Sequence, residues 1–249
     1  MNPWTEANGA HRPLSERATL PIASAVYGTS VLGIPLYAYL PETWSAKRTL
    51  ILAGMHGENQ EPTTVAVLSA ALRSILPENL RCAVILCANP DGLTQGTRGN
   101  SRNVDLNRNF PSKNWREGKT TSKWEEWLLS EVEHSTGESP TSEPEVAALI
   151  RFIREQGIEQ VVSIHAPLGC VDYGYEEHWP LVEELSKRLS LPVVSDIGYP
   201  CPGSMGTWAG EIGIPLITLE FENDLTRTRI AESYGPTLQS LLQGELRGL

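Results

Sequence analysis

The sequence predicts a single α/β domain in which a mostly parallel or mixed sheet carries helices on both faces. Short apolar runs of strand type alternate with helical patterns along the chain, which is the order of β-α units. The 249 residues suit one large domain, which at this size buries roughly three-quarters of its unfolded surface. A content of 40% hydrophobic and 20% charged residues is ordinary for a globular protein. We therefore expect one domain over residues 1–249, with 1–22 as an N-terminal extension.

The predicted elements follow one another in a regular order. Strands are expected, from short apolar runs, at 49–53, 81–88, 160–164, 192–195 and 216–221. Helices are expected, from longer periodic patterns, at 62–76, 144–156, 179–189 and 229–246. The segment 112–142 is polar and contains Trp115, Trp124 and Trp127. The sequence is compatible with either a lid or a short helix in this segment.

The charge balance excludes one class of partner. Thirty acidic and twenty basic residues give a formal net charge of -10. The sequence has no run of Lys and Arg that would form a basic stripe along a phosphate backbone. We therefore expect no nucleic-acid partner. Positive charge can still concentrate in a cleft around Arg98 and Arg108. Residues 1–22 contain no apolar stretch long enough for a signal peptide or a membrane span, so we expect a cytoplasmic protein without a membrane partner.

The four cysteines are too few and too scattered for a disulfide framework. Cys82 and Cys87 are expected on opposite faces of one strand, and Cys170 and Cys201 lie far along the chain. The sequence contains no Cys-x-x-Cys pair, which argues against a cysteine metal site. Buried structural thiols in a reducing compartment are the simplest interpretation.

Polar side chains follow several of the predicted strands, in the segments 54–61, 89–92, 163–165 and 218–221. In open α/β sheets the functional residues lie just past the carboxyl ends of strands. His56 and His165 lie in two of these segments, and carboxylates lie nearby. Two imidazoles and a carboxylate bind zinc and leave a fourth position for water. One such histidine alone is ordinarily structural, but two at separate strand ends predict a catalytic zinc site.

The stretch 98–111 has an unusual density of arginine and asparagine. Its Gly and Asn content permits a solvated turn, but a solvated turn has no need of three arginines. Buried guanidinium groups require hydrogen-bond partners. Arginine also offers a fixed fork of donors that suits a substrate carboxylate or a developing oxyanion. The stretch therefore predicts a binding loop for an acidic substrate.

Four motifs together resemble the zinc carboxypeptidase superfamily. They are His-Gly…Glu from position 56, Arg…Asn-Val-Asp-Leu-Asn-Arg-Asn-Phe from 98, Ser-Ile-His at 163–165 and Thr-Leu-Glu-Phe at 218–221. They occur in the order of that family, between about Tyr27 and about Asn223. The resemblance implies a mixed eight-stranded sheet flanked by helices, and a zinc metallohydrolase with one zinc ion per chain.

The resemblance also implies roles for the strand-end residues. His56 and His165 match the histidine ligands, and Glu220 matches the catalytic glutamate. From the residues alone, Glu220 can equally pair with Arg108 as a structural bridge. Glu222 is as acidic and, by the period of a strand, shares its face. Only the motif favours Glu220.

The binding loop is assigned in the same way. Arg98 matches the arginine that polarises the scissile carbonyl, while Asn107 and Arg108 match the pair that holds the terminal carboxylate of the substrate. Tyr199 is a candidate hydrogen-bond donor to substrate, although an aromatic residue in a loop rich in Gly and Pro is as often a packing residue.

The spacing after the first histidine departs from the family. Its members place the glutamate ligand three residues after the histidine, but position 59 is Asn here, with Glu58 and Glu61 on either side. Glu61 is favoured because Glu-Pro leads straight into a helix, as it does in the family. Glu58 stays open because either carboxylate has the chemistry of a ligand.

The substrate is also implied only by the resemblance. Further likeness to short family members of bacterial cell-wall recycling implies hydrolysis of the bond between γ-D-glutamate and meso-diaminopimelate, with the peptide L-Ala-γ-D-Glu-meso-diaminopimelate as substrate. A metallocarboxypeptidase or an acyl-amino-acid deacylase on the same scaffold is the alternative enzyme. A non-catalytic protein that binds acidic peptides is the alternative from another class. A monomer and a simple homo-oligomer are both compatible with the sequence.

Overall fold

The computed structural model describes residues 22–58, 60–122, 132–173, 179–195, 197–223 and 227–249. Within them, the strands are β1 Ser24–Thr29, β2 Pro35–Tyr39, β3 Thr49–Leu52, β4 Ala83–Ile85, β5 Lys119–Ser122, β6 Val132–Ser135, β7 Gln160–His165, β8 Leu168–Tyr173, β9 Val193–Val194 and β10 Leu216–Glu222. The helices are α1 Glu61–Ser74, α2 Pro90–Gln95, α3 Pro144–Glu155, α4 Trp179–Leu189, α5 Met205–Glu211 and α6 Arg227–Leu242, with short 3-10 turns at Pro77–Asn79 and Leu106–Arg108.

Eight strands form one mixed sheet in the order β1-β2-β4-β3-β7-β10-β8-β9. The four middle strands, β4, β3, β7 and β10, run parallel to one another. Antiparallel pairs join β1 to β2, β2 to β4 and β10 to β8, and β9 lies parallel to β8. Strands β5 and β6 pair separately. The predicted α/β class and the eight-stranded sheet implied by the family are therefore confirmed.

Helices cover both faces of the sheet, because successive side chains of a strand point to opposite faces and both sets are apolar. On β3, Ile51 belongs to the core that packs under α1, α4 and α6. Leu50 and Leu52 belong to the core that packs under α3 and α5. Because both faces of the middle strands are buried, these strands need apolar side chains at nearly every position, which explains their near-continuous apolar runs.

The face under α3 and α5 becomes polar toward the carboxyl ends of the strands. On β7, Val161 lies in that core, and Ser163 and His165 follow on the same face. On β10, Leu216 lies in the core and Glu220 follows four residues later on the same face. The alternation of the strands thus carries ionisable side chains to the end of a buried face.

The predicted strands at 49–53, 160–164 and 216–221 agree with β3, β7 and β10 to within one residue at each end. The prediction of a long strand at 81–88 is wrong in length. The main chain of Ala53 bonds both to Ile85 and to Ala88, so residues 86–87 bulge away from the sheet. Cys82 and Cys87 therefore lie outside β4, rather than on opposite faces of one strand. All four cysteines are free thiols.

Other elements were not predicted, namely β1, β2, β5, β6, β8, α2 and α5. Strands β1 and β2 lie at the edge of the sheet and have mixed burial, so they lack a clean apolar run. The expected N-terminal extension falls outside the described residues, except for Ile22, which is buried in the core. No helix in the described part of the chain is long and apolar enough to cross a membrane.

We expect Leu52→Ala to lower the free energy of unfolding by about 3 kcal/mol, because it leaves a cavity in a close-packed core. Leu52 is 0% exposed, whereas Leu76 is 59% exposed. The matched control Leu76→Ala is expected to change stability by no more than about 0.5 kcal/mol. Urea denaturation of both variants measures the difference, and equal losses would contradict the assigned core.

Candidate active site

Three buried side chains that can hold a metal ion meet at the carboxyl ends of the middle strands. His56 lies in the turn after β3, Glu61 is the first residue of α1, and His165 is the last residue of β7. One ligand atom from each lies within 4.8 Å of the others. The Nδ1 atom of His165 is 2.8 Å from Oε1 of Glu61. Among the described residues, no second group of three His, Cys, Asp or Glu side chains meets in this way.

Neighbouring polar groups orient the two imidazole rings. The Oγ atom of Ser163 lies 2.9 Å from Nε2 of His165, which leaves Nδ1 facing Glu61. The Nδ1 atom of His56 lies 3.4 Å from the main-chain oxygen of Arg98 and 3.8 Å from Oδ1 of Asp105. Contacts of this kind set the ring orientation and tautomer of histidines that bind metals.

The donor set fits zinc. Two imidazole nitrogens and one carboxylate oxygen are the ligands of many catalytic zinc sites. The Oε2 atom of Glu61 is buried and, within the described residues, has no hydrogen-bond partner, which is costly unless a cation compensates it. Burial, aided by the charge of Arg98, holds the pKa of His56 well below its usual range. A neutral imidazole is the form that binds a metal.

Glu58 points to a different partner. Its Oε1 atom lies 3.5 Å from Nη1 of Arg98, and its main-chain oxygen accepts a hydrogen bond from the N–H of Glu61. Burial raises the pKa of Glu58 to about 8, although Arg98 opposes the shift. A carboxyl group must lose its proton to bind a metal, so this environment disfavours Glu58 as a ligand.

A buried carboxylate holds Arg98 in place. The Nε atom of Arg98 donates to Oδ2 of Asp105 over 2.7 Å. Burial alone would raise the pKa of Asp105, but Arg98, His56 and Arg108 together outweigh burial and hold that pKa well below its usual range. The Oδ1 atom of Asp105 accepts from the main-chain N–H of Asn107 over 2.9 Å. One carboxylate thus fixes both the arginine and the turn that follows.

That turn places Asn107 and Arg108 on the wall of the cleft. The N–H of Met205 donates to Oδ1 of Asn107 over 2.9 Å, so the amide nitrogen is the group that Asn107 offers as a donor. Arg108 donates from Nη1 to the main-chain oxygen of Asn107 and from Nη2 to Sγ of Cys201. Its Nε is buried and lacks a partner among the described residues. Within the same residues, Arg108 forms no ion pair with Glu220.

Glu220 lies on β10 directly beside His165, in parallel register. It is 8% exposed, and its Oε2 accepts from the N–H of Leu168 over 3.3 Å. Burial raises the pKa of Glu220 to about 7, with His165 opposing and Glu61 adding to the shift. A pKa near neutrality suits a group that accepts and returns a proton. Glu222 instead accepts a hydrogen bond from the hydroxyl of Tyr234.

These residues share one cleft of about 730 Å³. Tyr199 lies at its rim and is 48% exposed. Lys119, Thr120 and Thr121 of β5 line it from the other side. The described part of the segment 112–142 therefore contains two paired strands, β5 and β6, of which β5 lies on the cleft wall. The short helix expected as one alternative is not found in that part. Trp124 and Trp127 lie outside the described residues.

A sequence profile of the zinc carboxypeptidase family matches residues 26–191. The chain belongs to the zinc carboxypeptidase family. Murein peptide amidase A of Escherichia coli (strain K12) is 40% identical over 233 residues, which are 93% of this chain and 94% of that protein. Murein peptide amidase A of Vibrio campbellii is 42% identical over 231 residues, which are 91% and 92% of the two chains.

Solved structures of the family share the fold. The crystal structure of murein-tripeptide amidase from Escherichia coli O157 matches with a TM-score of 0.85 and 39% identity, over 93% of this chain and 96% of that one. Thrombin-activatable fibrinolysis inhibitor matches with a TM-score of 0.67 and 21% identity, over 89% and 70%. At that identity the second likeness concerns the fold alone.

Membership in the zinc carboxypeptidase family confirms the expected kind of enzyme, a zinc metallohydrolase. It also implies zinc, and the structure contains a group of two histidines and a glutamate that can hold it. The ligand and catalytic roles of individual residues stay predictions at this point. The residues assigned to the site from the sequence line the cleft, except for the alternative ligand Glu58.

Sequence reasoning did not single out several residues of the site, namely Asp105, Ser163, Asp172 and Cys201. For Ser163 a signal existed, because it lies two residues before His165 on a strand and shares its face. For Asp105 the signal was the need of a buried arginine for an anionic partner. Asp172 and Cys201 lie at the cleft because segments far apart in the chain pair with each other. No local sequence pattern indicates that pairing.

We expect Glu220→Gln to stabilise the metal-free protein at pH 8 but not at pH 4. The folded-state pKa of Glu220 is about 7, above an unfolded value of about 4.3. Stability from the neutral carboxyl group is therefore present at low pH and is lost as pH rises through 7. Glutamine stays neutral, so the expected gain at pH 8 is about 2 kcal/mol in the free energy of unfolding by urea.

Glu222→Gln is the matched control, because it removes the same charge at an exposed position two residues away. It is expected to change stability little at either pH. An equal gain from both variants, or a gain from Glu220→Gln that does not depend on pH, would contradict the buried environment of Glu220.

Proposed function

We propose that this chain is a zinc-dependent amidase that hydrolyses the bond between γ-D-glutamate and meso-diaminopimelate in L-Ala-γ-D-Glu-meso-diaminopimelate. The observation that carries the proposal is the likeness to murein peptide amidase A, 40% identical over 93% of this chain. The cleft supports it, because buried arginines and an amide donor suit a short acidic peptide. A cytoplasmic location in cell-wall recycling stays a prediction of the sequence.

In this proposal His56, Glu61 and His165 hold one zinc ion per chain. Glu61 is preferred to Glu58 because its carboxylate faces His165 and keeps a buried oxygen without a protein partner among the described residues. When bound, zinc supplies a Lewis acid that polarises the scissile carbonyl and lowers the pKa of a coordinated water toward about 7.

Glu220 acts as the general base. Its carboxylate takes a proton from the attacking water and delivers that proton to the leaving amine nitrogen of diaminopimelate. The shift of its pKa to about 7 supports both steps, since the group then exchanges protons readily near neutral pH. The hydrogen bond from the N–H of Leu168 orients one carboxylate oxygen.

Arg98 donates to the oxygen of the scissile carbonyl as negative charge develops there. Asp105 holds its Nε, so the guanidinium is oriented before substrate arrives, and preorganised donors of this kind typically contribute about 3–4 kcal/mol. Asn107 and Arg108 hold the carboxylate next to the scissile bond, through the amide nitrogen and the guanidinium group. Tyr199, at the rim, is positioned to donate a further hydrogen bond to the peptide.

We expect Glu61→Gln to lower zinc affinity by at least about 100-fold, because it removes a ligand charge. Glu58→Gln is the matched control and is expected to keep about one zinc ion per chain, since Glu58 contacts Arg98 instead. Zinc competition against a chromophoric chelator, followed by metal analysis, measures both. Loss of zinc from Glu58→Gln with retention in Glu61→Gln would reverse the assignment.

We expect Glu220→Gln to bind zinc normally but to hydrolyse the tripeptide at least about 1000-fold more slowly, because the proton acceptor is gone. Chromatographic release of diaminopimelate from the tripeptide is the assay. A panel with blocked dipeptides that have a free C-terminus, and with acyl-amino acids, tests the substrate. Preferred cleavage of either of these would favour a carboxypeptidase or a deacylase. Peptide binding without zinc or turnover would favour a binding protein.

A further inference from the structure

Strand β5 pairs with β6 on one side and, among the described residues, has no neighbouring strand on the other. Lys119, Thr120 and Thr121 of β5 all line the cleft. Successive side chains of a strand point to opposite faces, so a cavity that touches three residues in a row meets the strand along an edge. The edge toward β6 is occupied. The cleft therefore runs along the open edge of β5.

The hydrogen bonds of β6 show which main-chain groups of β5 are open. The N–H of Ser135 donates to the main chain of Asn103, and its C=O accepts from that of Asp105, so both groups point away from β5. Ser135 lies opposite Lys119, so these two residues form a pair without mutual hydrogen bonds. Because bonded and non-bonded pairs alternate along an antiparallel ladder, the N–H and C=O groups of Lys119 and Thr121 point to the open edge. Within the described part of the chain these groups have no partner.

The groups on this wall suit an anion. After Arg98 and Arg108, Lys119 is the remaining Lys or Arg among the described residues that line the cleft. Its Nζ lies 2.6 Å from Oε2 of Glu133 on β6, and both side chains are exposed. An ammonium group has three donors and an exposed ion pair is weak, so this contact leaves Lys119 able to bind a second carboxylate. The hydroxyl of Thr120 is buried and lacks a partner within the described residues, so it is a further donor.

The β5–β6 pair is fixed beside the group that binds the scissile carbonyl in the proposed mechanism. Through Ser135, β6 bonds to the main chain of Asp105, whose carboxylate holds Arg98. Asn107 and Arg108 are already assigned to the leaving residue, whose carboxylate they hold. The open edge of β5 is therefore available to the other product, the acyl part of the peptide.

We propose that the open edge of β5 binds the acyl part of the substrate, with Lys119 and the outward N–H groups on the α-carboxylate of D-glutamate. The inference rests on the proposed function and deepens it. Because the scissile bond is at the γ-carbonyl, the α-carboxylate and the alanyl amide N–H both remain on the α-carbon of D-glutamate. They take the places of the C=O and N–H of a strand residue, so they can pair with the edge as an added strand does.

The test uses the zinc-loaded protein and two substrates. The first is L-Ala-γ-D-Glu-meso-diaminopimelate. The second replaces the α-carboxylate of D-glutamate by hydrogen, which gives L-alanyl-4-aminobutyryl-meso-diaminopimelate and keeps both amide bonds. We expect the wild type to prefer the first substrate by about 10- to 100-fold in kcat/KM, because only that substrate has the anion for the edge.

Two variants remove the proposed donors. Lys119→Met removes the charge, and Thr121→Pro removes one outward N–H. Proline suits this position because the N–H of Thr121 takes no part in pairing with β6. Each variant is expected to lower kcat/KM for the first substrate by about 5- to 10-fold, chiefly through KM, and for the second by no more than about twofold.

Lys187→Met is the matched control, because it removes the same charge at an exposed position on α4, and it is expected to keep the wild-type preference. Full preference retained in either Lys119→Met or Thr121→Pro would overturn the inference. An equal loss on both substrates would do the same, since it indicates a structural role for the β5–β6 pair. Equal cleavage of both substrates by the wild type overturns the inference alone, whereas cleavage of neither overturns the proposed function with it.

Discussion

The buried carboxylate of Asp105 joins the parts of the cleft into one unit. One of its oxygens accepts from Arg98 over 2.7 Å, and the other accepts from the main chain of Asn107 and lies 3.8 Å from His56. Its own N–H bonds to Ser135 of β6, which ties the loop to the cleft wall. A single anion, kept charged by the adjacent guanidinium, therefore positions the binding loop relative to the metal group.

The middle strands supply the other half of the site. Because β7 and β10 are parallel neighbours, His165 and Glu220 reach the same level at the carboxyl end of a buried face. Burial is the main cause of the raised pKa of Glu220. The packing around the ends of the middle strands therefore also sets the proton affinity of the proposed base. Removal of this strand end from water thus favours the proposed chemistry at a cost in stability above neutral pH, because Glu220 must then carry its charge while buried.

Much of the candidate site was accessible to sequence reasoning, because the proposed metal-binding and binding-loop residues follow strands at positions that local patterns identify. The choice between Glu58 and Glu61 was not accessible in the same way. Both lie within five residues of His56, and either side chain has the chemistry of a ligand. In the structure Glu61 begins α1 and faces His165, whereas Glu58 turns toward Arg98. The motif preferred Glu61, and helix geometry supplies a physical reason for that preference.

By itself the sequence determined the α/β class, the order of the buried strands along the chain, and the types of residue that follow each strand. These are properties of short segments, set by apolar alternation and by the polarity that follows each strand. Only the tertiary structure decided that Glu61 meets His165, 104 positions away, and that Asp172 lies one pleat below Glu220. Such contacts depend on which strands become neighbours and in what register, and packing of the whole sheet sets both.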